Sequence, residues 1–516
     1  MKRMLKVLGT LAVAFVVFVV VARLLFPLPD LSTREDTAAI PAEPGTTLGT
    51  SFIDAAAQRP GLSGVIPLQN GHDALASRVE LAAVAERSID AQYYIWQDDT
   101  SGIILLDALH KVAQRGVRVR LLLDDNGVSG LDSVIAALNA HPYFDVRLFN
   151  PSMVRNPKLL GYAFDFFRMN RRMHNKSFIV DGAIAIVGGR NIGDEYFEVG
   201  DDAFYLDMDV LATGTVVPET ADMFDAYWNS ASVFEVETII EGHGDLAAFE
   251  TRVETVLASE EADTLFGDLQ DSAEQYANGD ISMEWTTVQL MADDPVKGQG
   301  IATADQLLVT QIEEILDTAE DRVDLVSAYF VPGVRGTTFL NNLADKGVNV
   351  SILTNALNTT DVLLVHAGYS IYRRELLETD ISLYELKLGA EMKSEANLQV
   401  LPLGLSGASL HAKTFAIDDS RLFIGSFNFD PRSAALNCEM GFLIESPTLA
   451  RQASEGFDGP LDFISYQPQL TPEEKMVWLE AFEDGETVIY QEEPGASWFQ
   501  QIAFAVLGVF PIEWLL

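Results

Sequence analysis

Residues 174–191 read HNKSFIVDGAIAIVGGRN, and residues 411–428 read HAKTFAIDDSRLFIGSFN. The two strings share a histidine, a lysine, an aspartate, a glycine and an asparagine at one constant offset, namely His174/His411, Lys176/Lys413, Asp181/Asp418, Gly188/Gly425 and Asn191/Asn428. Average composition makes an accidental double match of this kind negligible. The repeat therefore predicts two half-sites that meet, and their residue types indicate phosphoryl chemistry without a metal.

Each string has the pattern of a strand, a turn and a second strand. His174 and Lys176 lie two residues apart, which on a strand puts both side chains on one face. Asp181-Gly182 predicts the turn, and Gly188-Gly189 lets the backbone approach a ligand closely. Two such strings supply two imidazoles, two ammonium groups and two amides. That set is enough for a nucleophile, an acid and several donors to a phosphate oxyanion.

The duplication extends into the flanking sequence. In each half a predicted strand, helix and strand precede the string, at 88–96, 103–114 and 117–123 and again at 323–331, 338–346 and 348–353. A chain of 516 residues is also too long for one core. We therefore predict an α/β protein with a first domain at 65–240, a linker or insertion at 241–300, a second domain at 301–450 and an extension at 451–516. The apolar end, 498–516, is expected to be a buried helix, with the membrane interface as the alternative.

The N-terminus is basic and then apolar. Lys2, Arg3 and Lys6 precede an uncharged stretch at 7–22, and apolar residues continue to Leu28. Because no small-residue cleavage site is evident before the prolines that follow, we predict an uncleaved anchor at 1–28, with a cleaved signal peptide as the alternative. Basic residues stay on the cytoplasmic side, which predicts a body outside the cytoplasm. Residues 29–64, rich in Pro, Ala, Thr, Gly and acids, suit a tether.

Composition narrows the partners. The formal net charge of −42 disfavours nucleic acid, which requires phosphate neutralisation by Lys and Arg, and it is typical of solubility or salt adaptation. The single cysteine, Cys438, leaves no intramolecular disulfide and no cysteine cluster for a metal. Asp124-Asp125 is a candidate metal pair, but strand-end carboxylates are common and no histidine lies near it in sequence. We expect no metal and no cofactor.

The spacing HxKxxxxDxxxxxxGxxN, present twice, resembles the signature of the phospholipase D superfamily. The stretches RRMHNKSFIVDGAIAIVGGRNIGDEYFE (171–198) and GSFNFDPRSAALNCEMG (425–441) resemble those of bacterial cardiolipin synthases. The resemblance spans about residues 65 to 450. It implies two similar α-β-α domains, each a mixed β-sheet flanked by helices, related by a pseudo-twofold axis with the active site between them. It also places the anchored chain at a bacterial inner membrane with a periplasmic body.

The resemblance implies a mechanism in which one histidine attacks a phosphodiester and the other protonates the leaving alcohol. By analogy His174 is the nucleophile and His411 the acid and base. A carboxylate should hold the far nitrogen of each imidazole, Glu439 for His411 and Asp207 for His174, with Asp209 as the alternative to Asp207. The remaining catalytic set that the resemblance implies is Lys176, Lys413, Asn191, Asn428, and Asp181 and Asp418, the last two as turn and framework residues.

Three residues are predicted to bind substrate: Arg171, Arg172 and Ser426. Residues 151–190 are net positive in an acidic chain. They predict either a solvated basic helix face or a funnel for phosphate and headgroup beside the membrane. Gly189 stands where many superfamily members carry Ser, whereas the second string keeps Ser426. His366 is a further candidate to line the site.

The resemblance implies a phosphatidyltransferase that makes cardiolipin from phosphatidylglycerol and either a second phosphatidylglycerol or phosphatidylethanolamine. The first alternative is hydrolysis of a phospholipid or of another phosphodiester, with water in place of the lipid alcohol. The second is a membrane-tethered, lipid-binding scaffold with an inactive site, although no key position of either string is lost. Phospholipid and membrane are the expected partners, nucleic acid is not expected, and an accessory protein is left open.

Overall fold

A computed structural model of the chain describes residues 2–200, 204–267, 282–387 and 409–495. Two large sheets, one in each half, organise these residues. The helices are α1 (Lys2–Leu25), α2 (Thr47–Ala57), α3 (Gly71–Val84), α4 (Thr100–Gln114), α5 (Asp132–Asn139), α6 (Tyr162–Met169), α7 (Val216–Trp228), α8 (Leu246–Leu257), α9 (Leu308–Leu316), α10 (Gly333–Asp345), α11 (Leu363–Leu377), α12 (Pro431–Ala435), α13 (Pro447–Phe457) and α14 (Pro460–Ile464).

The strands of the first half are β1 (Ser63–Leu68), β2 (Ser88–Ile95), β3 (Arg118–Gly127), β4 (Phe144–Phe149), β5 (Ser177–Val180), β6 (Ile184–Gly188), β7 (Tyr205–Leu206), β8 (Asp209–Gly214) and β9 (Val233–Glu235). Those that follow are β10 (Glu284–Thr286), β11 (Val288–Ala292), β12 (Arg322–Ser327), β13 (Asn349–Asn355), β14 (Ser382–Leu386), β15 (Ser409–Leu410), β16 (Lys413–Ile417), β17 (Arg421–Gly425), β18 (Met440–Ile444), β19 (Ser465–Leu470), β20 (Met476–Ala481) and β21 (Thr487–Tyr490).

The two sheets repeat one topology. Their orders are β10-β1-β8-β6-β5-β2-β3-β4-β9 and β11-β18-β17-β16-β12-β13-β14-β19-β20-β21. In each, three parallel strands (β2-β3-β4 or β12-β13-β14) continue into an antiparallel hairpin that carries the repeated string. Gly116 and Gly347 end equivalent helices with φ of 83° and 94°, a conformation that glycine adopts without a side-chain clash. The predicted α/β fold with two mixed sheets flanked by helices is confirmed.

One hydrophobic core joins the halves. Val187 and Val210 of the first sheet belong to the same buried cluster as Ile424 and Phe442 of the second. The hairpin strands that carry the two strings therefore pack face to face. This packing places the ends of both strings at one place between the halves.

Several predicted connecting segments are part of the folded body. The predicted tether packs on the first half, because Arg34 donates to the carbonyls of Ser230 and Val233 at 2.8 and 2.7 Å and residues 47–57 form α2. The predicted linker contributes β10 to the first sheet and β11 to the second. The predicted extension adds three strands, β19, β20 and β21, to the second sheet. The apolar end at 498–516 lies outside the described residues.

Candidate active site

Two equivalent hairpins, β5–β6 and β16–β17, carry the repeated strings. Asp181 and Asp418 occupy their turns, both with φ of 51°. The carboxylate of Asp181 accepts the backbone N–H groups of residues 86–88, and that of Asp418 accepts those of residues 320–322, all within 2.8–3.3 Å. Both aspartates thus tie a hairpin to the start of the neighbouring parallel strand, which is a framework position.

Backbone bridges between the halves set the positions of both histidines. Strand β7 pairs in parallel with β15. Asp207 follows β7 and His411 follows β15, so these two residues lie side by side. A second parallel bridge immediately before His174 and Glu439 brings that pair together. The His411 N–H donates to a β7 carbonyl at 2.7 Å, and the His174 N–H donates across the second bridge at 2.8 Å. Each histidine therefore meets a carboxylate of the other half.

The histidine–carboxylate pairs cross between the halves. His174 Nδ1 lies 2.7 Å from Glu439 Oε2, and His411 Nδ1 lies 2.5 Å from Asp207 Oδ2. The predicted pairs within each half, Glu439 with His411 and Asp207 with His174, are therefore wrong. The two bridges are the physical reason, since they align each carboxylate with the opposite string. The alternative Asp209 instead forms a buried ion pair with Arg78 at 2.8 Å.

The surroundings of His174 favour a neutral imidazole with a free Nε2. Its Nδ1 also lies 3.1 Å from the carbonyl oxygen of Ser426, which can only accept, so Nδ1 carries the hydrogen. Burial, followed by the charges of Lys176 and Lys413, holds the pKa of His174 well below its ordinary value. Burial raises the pKa of Glu439. The lone pair of Nε2 is therefore available for attack.

The carboxylate beside His411 differs from the one beside His174, because its pKa is lowered and not raised. Burial and then Lys413 lower the pKa of His411, but Asp207 opposes this shift by its charge and its hydrogen bond. Although burial raises it, Lys413 and His411 hold the pKa of Asp207 below its ordinary value, so this carboxylate stays ionised beside the imidazole. An ionised partner stabilises an imidazolium. His411 is thus the histidine better placed to carry and release a proton.

Both lysines lie in the same buried cluster. Lys176 Nζ donates to His174 O at 2.6 Å, and Lys413 Nζ donates to His411 O and lies 2.8 Å from His411 Nδ1. Burial holds the pKa of each lysine below its ordinary value, although the negative charges of Asp207 and Glu439 act in the opposite direction. The four side chains and two carboxylates therefore act on one another across the boundary between the halves. An arriving phosphate anion would favour the charged form of both lysines.

Gly189 and Ser426 occupy equivalent places behind the two carboxylates. Ser426 Oγ donates to Glu439 Oε2 at 2.6 Å, and Ser433 Oγ donates to Oε1 at 2.8 Å. Ser426 is fully buried in this role, so the structure places it behind Glu439 and not on a substrate surface. A Cβ added at Gly189 would overlap Asp207 Oδ1. Only a residue without a side chain therefore fits at position 189, because Asp207 occupies the space that a Cβ would need.

We expect Gly189→Ala to lower turnover at least about tenfold, because the added methyl displaces Asp207 from His411 and weakens acid–base catalysis. Steady-state rates of the purified chain measure the effect. Gly45→Ala is the matched control, since a Cβ there meets no atom within 4 Å. A Gly189→Ala variant as active as the control would contradict the described contact.

The two asparagines of the strings take different roles. Asn191 accepts the backbone N–H of Ile95 at 3.2 Å and donates to the Tyr196 hydroxyl at 2.9 Å, which is a framework role. Asn428 is buried, and among the described residues its Oδ1 has no hydrogen-bond partner. Asn428 thus remains the asparagine with polar capacity for a ligand.

Aromatic rings that sequence reasoning missed enclose both histidines. The ring of Tyr94 meets His174 edge-on at 5.0 Å, and those of Tyr196, Tyr205 and Tyr329 lie 5.2, 5.0 and 6.2 Å from that of His411. These tyrosines come from separate loops and strands, and single aromatic residues carry no periodic signal. The adjacency of Tyr205 to Asp207 was the one local hint.

The predicted basic funnel is largely consumed by ion pairs. Arg172 is buried and donates to Asp124 at 2.9 Å and to a backbone carbonyl at 2.8 Å, so the structure places it in the framework. Arg155 and Lys158 pair with Asp125 at 2.8 and 3.1 Å. Carboxylates of residues 124–132 therefore neutralise Arg155, Lys158 and Arg172, so these three side chains do not form a free basic surface.

Of the other candidates, Arg171 is partly buried and donates to the carbonyl of Phe167, away from the histidines. His366 binds Glu493 at 2.6 Å and lies outside the catalytic cluster. Asp124 and Asp125 are engaged by the cations described above. Within the described ranges, no group of three or more His, Cys, Asp or Glu side chains is arranged to hold a metal.

Comparison with known proteins agrees with this geometry. The family profile described as "Cardiolipin synthase, PLD-like domain" matches twice, at residues 79–228 and 312–460. The chain belongs to the phospholipase D superfamily. Each match contains one repeated string and the carboxylate that contacts the histidine of the other string. It is an enzyme of the phosphatidyltransferase type within that superfamily.

Its relatives include cardiolipin synthases. Cardiolipin synthase C of Escherichia coli is 43% identical over 476 residues, which cover 91% of this chain and 99% of the relative. The major cardiolipin synthase of Bacillus subtilis is 26% identical over 76% of this chain and 67% of its own length. The crystal structure of a phosphatidylserine synthase of Haemophilus influenzae shares the fold, with a TM-score of 0.56 at 15% identity over 90% of this chain and 98% of that one.

The apolar N-terminal helix and the similarity to a cardiolipin synthase together indicate membrane association. Among the described residues, Arg3–Leu25 is the one helix long and apolar enough to cross a membrane, with a hydropathy of 2.6. A cardiolipin synthase relative covering almost the whole chain is consistent with phospholipid substrates at that membrane.

Proposed function

We propose that this chain makes cardiolipin by phosphatidyl transfer between two phospholipids, through a phosphohistidine intermediate on His174. The observation that carries the proposal is the pair of crossed histidine–carboxylate contacts at the boundary between the halves. Similarity to a cardiolipin synthase of E. coli along nearly the whole chain supports the substrate class.

In the first step, Nε2 of His174 attacks the phosphorus of the donor lipid and forms a P–N bond. The P–O bond to the headgroup alcohol breaks, and His411, protonated beside Asp207, gives its proton to the departing oxygen. The neutral tautomer of His174 and the ionised state of Asp207 support this order of roles.

In the second step, His411 removes the proton of the acceptor hydroxyl on phosphatidylglycerol. The resulting oxygen nucleophile attacks phosphorus, the P–N bond breaks, and its electron pair returns to His174. Lys176 and Lys413 stabilise the non-bridging oxygens in both steps, aided by Asn428. Because these lysines supply the positive charge, the reaction is proposed to need no metal and no cofactor.

Phosphatidylglycerol or phosphatidylethanolamine is proposed as the donor. The tyrosine rings around His411 lie near an exposed carboxylate, since Tyr329 donates to Asp361 at 2.5 Å. Aromatic faces with a carboxylate suit an ammonium group, which favours the ethanolamine headgroup. Hydrolysis is the alternative reaction, with water as the acceptor.

The chain is proposed to sit in a bacterial inner membrane with its body in the periplasm. The basic residues before the apolar stretch support a cytoplasmic N-terminus. The last turn of α1 is attached to the body by an ion pair between Arg23 and Asp165 at 3.0 Å, which supports a retained anchor over a cleaved signal.

The test uses the purified full-length chain in vesicles that contain phosphatidylglycerol together with headgroup-labelled phosphatidylethanolamine. We expect cardiolipin to form, free ethanolamine to be released in equal amount, and the rate to be unchanged by EDTA. Labelled phosphatidylglycerol, tested alone, measures the second donor. Phosphatidic acid as the product instead of cardiolipin would establish hydrolysis, and strong inhibition by EDTA would contradict the metal-free proposal.

A further inference from the structure

Residues 158–169, called here the interfacial segment, expose large apolar side chains although they belong to a folded domain. Leu159 and Phe167 are 76% and 77% exposed, and Leu160 and Phe166 are 55% and 41% exposed. The segment comprises one 3-10 turn at Lys158–Gly161 and helix α6. Four exposed large apolar side chains therefore lie within nine residues, and water solvates such a group poorly.

The charged groups of this segment are neutralised inside the protein. Arg168 pairs with Asp165 at 2.5 Å, and Lys158 pairs with Asp125 at 3.1 Å. These pairs lower the cost of bringing the segment to a less polar environment.

Helix α1, which is long and apolar enough to span a membrane, is docked on this same segment. Arg23 Nη2 donates to Asp165 at 3.0 Å, Arg23 Nε donates to the carbonyl of Phe164 at 3.1 Å, and the ring of Phe26 stacks on that of Phe164 at 5.8 Å. With 24 residues, α1 is about 36 Å long, slightly more than the hydrocarbon core of about 30 Å. Because the contacts involve its last turn, a bilayer crossed by α1 would have its surface at the segment.

The segment also lines a cavity that reaches Arg172, two residues before His174. Leu159, Tyr162 and Met169 line a cavity of about 560 Å³ together with Asn126. Tyr162 donates to Asn126 Oδ1 at 3.3 Å, and Asn126 lies beside Tyr94, whose ring contacts His174. The C-terminal end of α6 is fixed from the second half, since Arg432 donates to the Asn170 carbonyl at 2.8 Å.

We propose that the interfacial segment inserts into the headgroup region of the bilayer beside α1, through Leu159, Leu160, Phe166 and Phe167, and forms the lipid-side rim of the cleft that leads to His174. The occupant of this surface is the lipid bilayer, because the spanning helix fixes the depth of the segment. The insertion rests on the proposed retained anchor α1 together with the exposed apolar side chains, whereas its role as the lipid entrance rests on the proposed catalytic function.

Insertion is tested with the full-length chain in nanodiscs of phosphatidylglycerol and phosphatidylethanolamine. A fluorophore is attached at Phe167→Cys or, as the matched control, at Val334→Cys, a site of similar exposure at 73%; the native Cys438 is fully buried. Lipids with a nitroxide near the headgroup are expected to quench the first label at least about threefold more than the second. Equal quenching at the two sites would overturn the proposal.

The entrance is tested with the double variant Leu159→Asp/Phe167→Asp and the control Val334→Asp. We expect turnover of vesicle phospholipid to fall at least about tenfold in the double variant only, with turnover of a dissolved short-chain phosphatidylglycerol unchanged. Loss of both activities, or of neither, would overturn the entrance role. If the wild type forms no cardiolipin, the proposed function fails, and the quenching result still decides the insertion.

Discussion

Replacement of His174 or of His411 by alanine is expected to lower phosphatidyl transfer by at least about 10³-fold, because each variant removes either the nucleophile or the proton carrier. The double variant should be no slower than the slower single one, since residues that act as a unit lose their effect together. Cardiolipin formation in vesicles measures the rate. Thermal unfolding of each variant checks that the loss is chemical.

The matched control for these variants is His366→Ala, which removes a buried histidine outside the catalytic cluster. It is expected to keep most of the wild-type rate per folded molecule. Substantial activity in either catalytic variant would contradict a mechanism that uses two histidines.

Removing the charge of the two partner carboxylates should affect different steps. The test uses an artificial substrate, a p-nitrophenyl ester of phosphatidic acid, because its leaving group needs no proton. Asp207→Asn is expected to release about one p-nitrophenolate per site in a burst. Its later steady-state turnover should be about 10² to 10⁴ times slower than that of the wild type, because His411 can no longer activate the acceptor efficiently. Glu439→Gln is expected to show no burst, because it disturbs the attacking His174.

The same pair of variants tests which carboxylate serves which histidine. Pairs within each half would reverse the result, with the burst in Glu439→Gln and none in Asp207→Asn. The pH profile with an unactivated phospholipid, whose leaving group needs the proton of His411, gives a second readout. Asp207 raises the pKa of His411, so Asp207→Asn lowers it, and the alkaline limb of that profile, where His411 loses its proton, should move to lower pH. An unmoved limb would contradict the contact between Asp207 and His411.

The repeated strings predicted the half-sites because their information is local. Strand alternation places His174 and Lys176 together, and the turn aspartates follow from the same register. The crossed pairs could not be predicted this way. They depend on the two-residue strands β7 and β15 and on a single bridge between Met173 and Cys438, and elements this short leave no periodicity in the sequence.

The basic stretch was predicted to be a charged surface from its local composition, and the fold neutralises part of it. Residues 151–190 are positive when counted locally, yet Arg155 and Arg172 are neutralised by Asp125 and Asp124 from the end of β3. Local charge counts cannot register partners that the fold brings from about 30 to 50 residues away. The strands β10 and β11 were missed for a similar reason, since three to five residues acquire their structure only by pairing with a sheet edge.

The central claim is a covalent phosphatidyl group on one histidine at the boundary between the halves. The most direct measurement is a single turnover of the ³²P-labelled p-nitrophenyl ester by Asp207→Asn, quenched in alkali, followed by proteolysis and mass spectrometry of the labelled peptide. The account predicts the label on His174. Label on His411, or on no histidine during the burst, would contradict it.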